Sequence, residues 1–313
     1  MNLAAAPSRG FSARSSTKEA PVEMFHKNDL LPDELKWFGL KVDPFNEVFD
    51  EEQFVYPELE ALRYQLANAM LTNQVVFLIG DSGSGKSTLI RMAEEEALRT
   101  AGDKLKPVWC PVNTARITDV VLDETLLDAL RGLSPSNTTS RAKTLRNVML
   151  ERHPTFKTAL IIDDAHRLRP AVFMHLRTLR QFETARRLLA IILIGEPALA
   201  MLLKRDDIQN VFGRSRLINM PPLTAVHEKR GSKTLITKPA RVVEFLRHVF
   251  ERVGHGAEFG QIWSDERAIG MVGELGQYPM NVMNVATLAM KMARRAGSRV
   301  VTPEAVNMVG ARS

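Results

Sequence analysis

A single cysteine, Cys110, stands in a chain of 313 residues. No intrachain disulfide can form, and nothing points to an oxidising compartment. No cysteine–histidine cluster has zinc-ligand spacing. Long apolar runs are also missing. The longest are strand-sized, well short of the roughly 20 residues that cross a bilayer, and there is no apolar centre of a secretory signal. A cytoplasmic protein without a membrane partner is therefore expected. Aromatic residues make up only 6% of the chain, too few among the basic clusters for a platform that stacks single-stranded bases. No internal repeat is visible.

The remainder is 45% hydrophobic and 25% charged, an ordinary globular composition. The chain is long enough to bury a core without staples. At roughly 150 residues per domain, about two domains are expected. The formal net charge of +6, with a sequence pI near 9.5, suits a polyanion partner without requiring one.

Residues 1–30 read as a disordered basic tail rich in Ala, Ser, Gly and Arg, with no acid before Glu19. A solvated tail, a transit-peptide-like segment and a DNA-touching arm all fit that composition. Aromatic and apolar residues then begin in a turn-rich lead-in, Trp37-Phe38-Gly39-Leu40 with Pro44-Phe45. Helical spacing over 56–72 is followed by a short continuous apolar strand, Val75 to Ile79. Beyond it, strands are expected at 108–112, 159–162, 188–194 and 216–220. Helices are expected at 87–100, 117–133, 141–152, 171–186 and 199–210. This alternation predicts an α/β fold, a parallel sheet covered on both faces. Residues 31–222 form the expected nucleotide-binding domain, 223–240 a linker or extended excursion, and 241–313 a small helical lid domain.

The strongest signal follows the first strand. Gly80, Asp81, Ser82, Gly83, Ser84, Gly85, Lys86, Ser87 and Thr88 form a P-loop running into a helix. The glycines let backbone N–H groups turn inward around phosphates, and the helix start adds its positive dipole end. Lys86 is expected to reach the β- and γ-phosphates of ATP, and Ser87 to ligate Mg²⁺. With ordinary glycine content, chance gives such a match about once in a hundred chains of this length, and the strand–loop–helix context makes it rarer. A second strand, ALII, ends in Asp163-Asp164. Asp163 is the expected Mg²⁺-side carboxylate, and Asp164 the group that polarises the attacking water.

With these motifs the chain resembles the AAA+ ATPases. Within them it is similar to the group containing the transposition helpers MuB, TniB and TnsC and the secretion protein ExeA. The similarity runs over roughly residues 35–309. Phe38-Gly39-Leu40 with Asp43-Pro44-Phe45 resembles the ExeA-type lead-in, which implies Phe45 near the adenine. Ile161 to His166 resembles the family's IIDEA motif, and Ile192 to Pro197 its sensor-1 strand, with Glu196 in the polar position. Residues 212–217 (FGRSRL) stand where relatives carry an arginine finger. Arg216 and Arg214 both fit, Arg216 slightly better by position. Residues 276–281 resemble the sensor-2 segment, with Met280 where many relatives have arginine.

Three departures imply a slow ATPase acting as a switch. Asp164 is one methylene shorter than the usual Glu, leaving its carboxylate roughly 1.5 Å further from the water. A misplacement near 1 Å can cost on the order of a hundredfold in rate. Glu196 would repel a γ-phosphate unless a base holds it or it turns away. Met280 brings no charge to the nucleotide.

Basic residues recur on expected helices: Arg141, Lys143, Arg146 and Arg152, then Arg177, Arg180, Arg186 and Arg187, then Lys291, Arg294, Arg295 and Arg299. Arg116 follows the strand expected at 108–112. Each cluster is by default a solvated face. As candidate contacts to duplex DNA we single out Arg116, Lys143, Arg146, Arg177 and Arg180, touching phosphates without reading sequence. The resemblance then implies a protein that assembles with ATP on duplex DNA as a ring or helical filament and recruits or activates a transposase. A secretion-type ATPase, a helicase loader and a weakly hydrolysing nucleotide-gated scaffold are the alternatives. His166 and His175 lack a third metal ligand, and Cys110 reads as a small buried apolar residue.

Overall fold

The computed structural model describes residues 29–46, 53–110, 117–130, 138–152, 157–180, 188–205, 208, 215–224, 226–230, 233–238 and 241–311. Five strands form one parallel sheet: β1 (Val75–Ile79), β2 (Leu105–Cys110), β3 (Lys157–Ile162), β4 (Leu189–Gly195) and β5 (Arg216–Asn219). Their order is β2-β3-β4-β1-β5, and each described pairing is parallel. The apolar run of β1 suits a strand buried on both faces. Val76 and Leu78 face one half of the core, and Val75, Phe77 and Ile79 the other.

Helices cover both faces. On one lie α2 (Pro57–Leu71) and α3 (Lys86–Ala101); on the other lie α4 (Asp119–Ala129), α5 (Thr138–Arg152), α6 (Pro170–Arg180) and α7 (Pro197–Leu203). The strand at 108–112 was expected three residues too late, because Lys106 and Pro107 interrupt its apolar pattern. β2 is an edge strand, where a proline without an N–H and a lysine facing water are tolerated. Helix α7 starts at Pro197 and stops at Leu203, earlier at both ends than expected. Proline at the first helical position marks that start. Helix α4 ends at Ala129, short of residue 133.

Residues 223–240, read as a linker or excursion, contain two antiparallel strands, β6 (Val226–Arg230) and β7 (Lys233–Lys238). Five helices follow: α8 (Val242–Arg252), α9 (Gly256–Ile262), α10 (Glu266–Gly276), α11 (Pro279–Arg295) and α12 (Pro303–Gly310). Asp265 accepts N–H bonds from Arg267 and Ala268 at the start of α10, and Thr302 caps α12 through the Ala305 N–H.

The lead-in belongs to this helical lid in its contacts. Its short helix α1 (Pro32–Phe38) offers Glu34 to Lys291 and Arg294 on α11, each at 3.9 Å. Lys291 also donates to the Asp29 carbonyl at 2.7 Å, and the Trp37 indole N–H donates to the Ser298 carbonyl at 3.1 Å. Arg299 lies over the Trp37 ring. Much of the C-terminal basic cluster is thus occupied with α1. Leu30, assigned to the tail, is buried. Its N–H donates to the Asp43 carboxylate at 2.8 Å, and Asp43 also accepts from Phe45. Burial pushes the Asp43 carboxyl up from the ordinary aspartate range, against those two bonds. His255 completes the clasp: its Nε2 accepts the Lys41 N–H at 3.0 Å. Residues 1–28 lie outside the described residues.

Phe250 on α8 ties lead-in to lid. It is fully buried and meets Phe45 and Phe259 edge-on, with ring centroids 5.7 and 5.5 Å apart. Phe250→Ala is expected to cost about 3–5 kcal/mol of stability, measured by urea denaturation. A loss under about 1 kcal/mol would mean that this cluster does not hold the two segments together.

Candidate nucleotide-binding site

The site forms where β1, β3 and β4 end side by side. Ile79 is level with Gly195, and Ile162 with Leu193. The Gly80 N–H donates to the Gly195 carbonyl at 3.2 Å, and the Met220 N–H to the Ile79 carbonyl at 2.7 Å. The loop leaving β1 is thereby tied to both neighbouring strands before it turns into α3. Gly85, at the N-cap of α3, has φ 86°, a left-handed conformation that glycine adopts at little cost.

A cleft of about 460 Å³ opens above these strand ends, within the range of small-molecule sites. Its phosphate end is walled by residues 82–88, Asp163, Asp164 and Glu196. Its far end lies between Gln53, Phe54, Tyr56 and Leu59 on one side and Phe245, His248, Val249 and Arg252 of α8 on the other. Met280 and Met283 of α11 close the third side.

The sequence-derived residues converge there. The Ser87 hydroxyl donates to the Asp163 carboxylate at 2.8 Å. The Lys86 ammonium donates to the carbonyls of Gly80 and Asp81, each at 2.8 Å. Burial pulls the Lys86 pKa below the usual lysine value, and Asp163, Glu196, Asp164 and Asp81 pull it back up. Asp164 sits at φ 52° with its N–H bonded to Asp163, and its carboxylate lies 3.7 Å from Arg167. The pairing of hard oxygen donors from Ser87 and Asp163 fits Mg²⁺, which is usually held by one or two protein oxygens together with phosphates. Among the described residues no group of three or more His, Cys, Asp or Glu could hold a metal by itself.

The lid touches the P-loop directly. The Met280 N–H donates to the Gly83 carbonyl at 3.2 Å. Its side chain lies so close that a Cβ on Gly83 would come within 2.5 Å of Met280 Cβ. The same turn is bonded to the segment after β5: the Leu223 N–H donates to the Gln277 carbonyl at 2.7 Å. Tyr56, whose hydroxyl donates to the Pro221 carbonyl, is raised to about 12 chiefly by burial.

Other residues lie elsewhere. Phe45 does not line the cleft but is buried against Phe250. The aromatic ring offered there is Phe54, between Tyr56, Phe245 and His248. The reading of the sequence missed Phe54, Tyr56, His248 and Arg252, although an aromatic pair just before a proline-started helix was a signal for the first two. Arg216 is exposed on edge strand β5, away from the cleft, and Arg214 lies outside the described residues. Lys143 and Arg146 are exposed on α5 and Arg177 is half-buried on α6, while Arg116 and the Arg180 side chain lie outside the described residues. Arg141 is not a surface residue: it is buried, 3.6 Å from Glu124. His175 pairs with buried Asp123 at 2.7 Å, and Cys110 is buried.

Residues 69–203, which carry the P-loop and the first four strands of the sheet, match the family model described as AAA domain. Similar solved structures include proteins named Cdc6 and ORC. Aeropyrum pernix ORC1 in complex with DNA aligns at TM-score 0.52 and 16% identity, covering 86% of this chain and 68% of that one. Cdc6p from Pyrobaculum aerophilum aligns at 0.50 and 15%, covering 84% and 68%. Drosophila ORC bound to DNA aligns at 0.50 and 13%, covering 98% and 69%. At these identities the likeness is one of fold. No curated protein matches the chain in sequence. Among the described residues no helix is long and apolar enough to cross a membrane.

The Gly83–Met280 approach gives a direct test. Gly83→Ala, strained at φ 73° and colliding with Met280, is expected to weaken nucleotide binding at least about tenfold by calorimetry. Gly39→Ala, at φ 74° with open space around it, is expected to leave binding within about twofold. Equal effects would separate the lid contact from the site.

Proposed function

We propose that this protein is an ATP-binding and ATP-hydrolysing AAA+ switch that assembles with nucleotide on duplex DNA and recruits or activates a transposase at the target. The observation that carries the nucleotide reading is the Ser87–Asp163 hydrogen bond beside Lys86, which spans from the loop after β1 to the end of β3 with β4 between the two strands. Residues 80–88 would wrap the phosphates with backbone N–H groups and the start of α3. Ser87 and Asp163 would hold Mg²⁺, which neutralises charge between the β- and γ-phosphates. Phe54 and α8 would shelter the base. Asp164 would orient the attacking water, from a short side chain already drawn towards Arg167, so turnover is slow. That same observation favours, as the second reading, a nucleotide-gated scaffold that scarcely hydrolyses.

Net charge is +6, Lys143 and Arg146 are exposed, and the Aeropyrum and Drosophila neighbours were solved with DNA. The transposase rests on the resemblance of the lead-in, the strand-end acids and the lid turn to the transposition helpers. Arg216, with Leu217 beside it 52% exposed on an edge strand, suits a residue that completes a neighbour's site in a ring or filament.

Duplex-DNA binding measured with ATP, a non-hydrolysable analogue, ADP or no nucleotide, across a salt series, tests this reading. Binding is expected only with the triphosphates, independent of sequence, and falling steeply with salt at a slope of about −0.9 per phosphate contacted. Lys86→Ala is expected to abolish it. Absence of binding in every nucleotide state would remove the DNA function and leave an ATP switch directed at protein. Asp164→Glu is expected to raise phosphate release roughly tenfold or more. A fall instead would mean that the shorter acid is already well placed.

A further inference from the structure

Glu196 poses an electrostatic problem that its surroundings answer. Its carboxylate walls the phosphate end of the cleft and acts through space on Lys86. A γ-phosphate drawn to Lys86 would meet that carboxylate, and like charges repel more strongly in a partly desolvated cleft than in water. The fold sets a base beside it. His166, in the short turn after β3, presents both ring nitrogens to Glu196. The Glu196 backbone N–H donates to Nδ1 at 3.4 Å, and Nε2 lies 3.9 Å from Oε2. One tautomer serves both contacts: a ring whose Nδ1 accepts carries its proton on Nε2, facing the carboxylate.

The arrangement is built into the sheet. β3 and β4 are neighbours, so the turn after Ile162 and the N-cap of α7 meet beyond their ends. Gly195 leaves room for this, since a Cβ there would lie 3.2 Å from the His166 backbone nitrogen. The His166 side chain is 13% exposed and held, whereas that of Glu196 is 44% exposed and has room to turn.

We propose that His166 is a positioning residue for the triphosphate: it holds the Glu196 carboxylate aside so that a γ-phosphate can occupy the cleft. The inference rests on the reading of the cleft as an ATP site. It makes the pair matter for ATP and not for ADP, which has no γ-phosphate. It also joins the turn after β3, which carries Asp163, to the N-cap of α7 after β4, through one ring.

A double-mutant cycle tests it. Wild type, His166→Ala, Glu196→Gln and the double variant are titrated calorimetrically with a non-hydrolysable ATP analogue and with ADP, both with Mg²⁺. His166→Ala is expected to weaken the ATP analogue about tenfold and ADP less than about twofold. In the Glu196→Gln background, which removes the charge, the same change is expected to have little effect. Retained ADP binding by His166→Ala also reports an intact fold. Equal losses for both nucleotides, a loss that persists with Glu196→Gln, or no loss at all would overturn the proposal. Failure of the wild type to bind either nucleotide would remove the ATP-site reading itself, and this proposal with it.

Discussion

Strand β1 runs between β4 and β5, and the site depends on where it stops. Its backbone is committed on both sides up to Ile79, and the Gly80 N–H and the Ile79 carbonyl are still bonded to Gly195 and Met220. The chain therefore leaves the sheet at one defined point, and the phosphate loop starts from a fixed base. β3 ends at Ile162, level with Leu193 and two residues short of the end of β4, so Asp163 and Glu196, which follow the two strands, both line the cleft beside that loop. A one-residue slip of register would exchange the buried faces of a strand. The two-sided core around Val76, Phe77 and Leu78 resists that slip.

The lid is tied to this frame by backbone. Leu223 bonds to Gln277, Met280 bonds to Gly83, and the Arg241 N–H bonds to the Leu223 carbonyl. Met280 meets the P-loop through a hydrogen bond to the Gly83 carbonyl and through van der Waals contact, and brings no charge to it. The lead-in is fastened to the same lid by Glu34, Trp37 and His255, and the chain then returns to supply Phe54 and Tyr56 to the cleft.

The sheet and the phosphate side of the site were legible in the sequence because they rest on short-range patterns. β1 and β3 are continuous apolar runs, and glycine, lysine and paired acids at fixed spacing follow them. The edge strand β2 was misplaced because edge burial tolerates Lys106 and Pro107, which break the pattern. The base side was hidden for a different reason. Phe54, Phe245 and His248 meet only through tertiary packing, and nothing local marks Phe245 or His248. Arg141 and the Lys291–Arg299 cluster show the limit of charge counting: each looks like a solvated basic face until Glu124 or Glu34 is placed opposite. The His166–Glu196 pair is long-range too, although the need for a base beside Glu196 followed from charge alone.

The central claim is that P-loop and lid turn form one nucleotide site. Amide hydrogen exchange, with and without a non-hydrolysable ATP analogue and Mg²⁺, tests it most directly. The account predicts that nucleotide slows exchange together in residues 80–88 and in residues 276–283, and that Lys86→Ala abolishes both effects. Protection confined to the P-loop, with the lid turn exchanging as before, would contradict it.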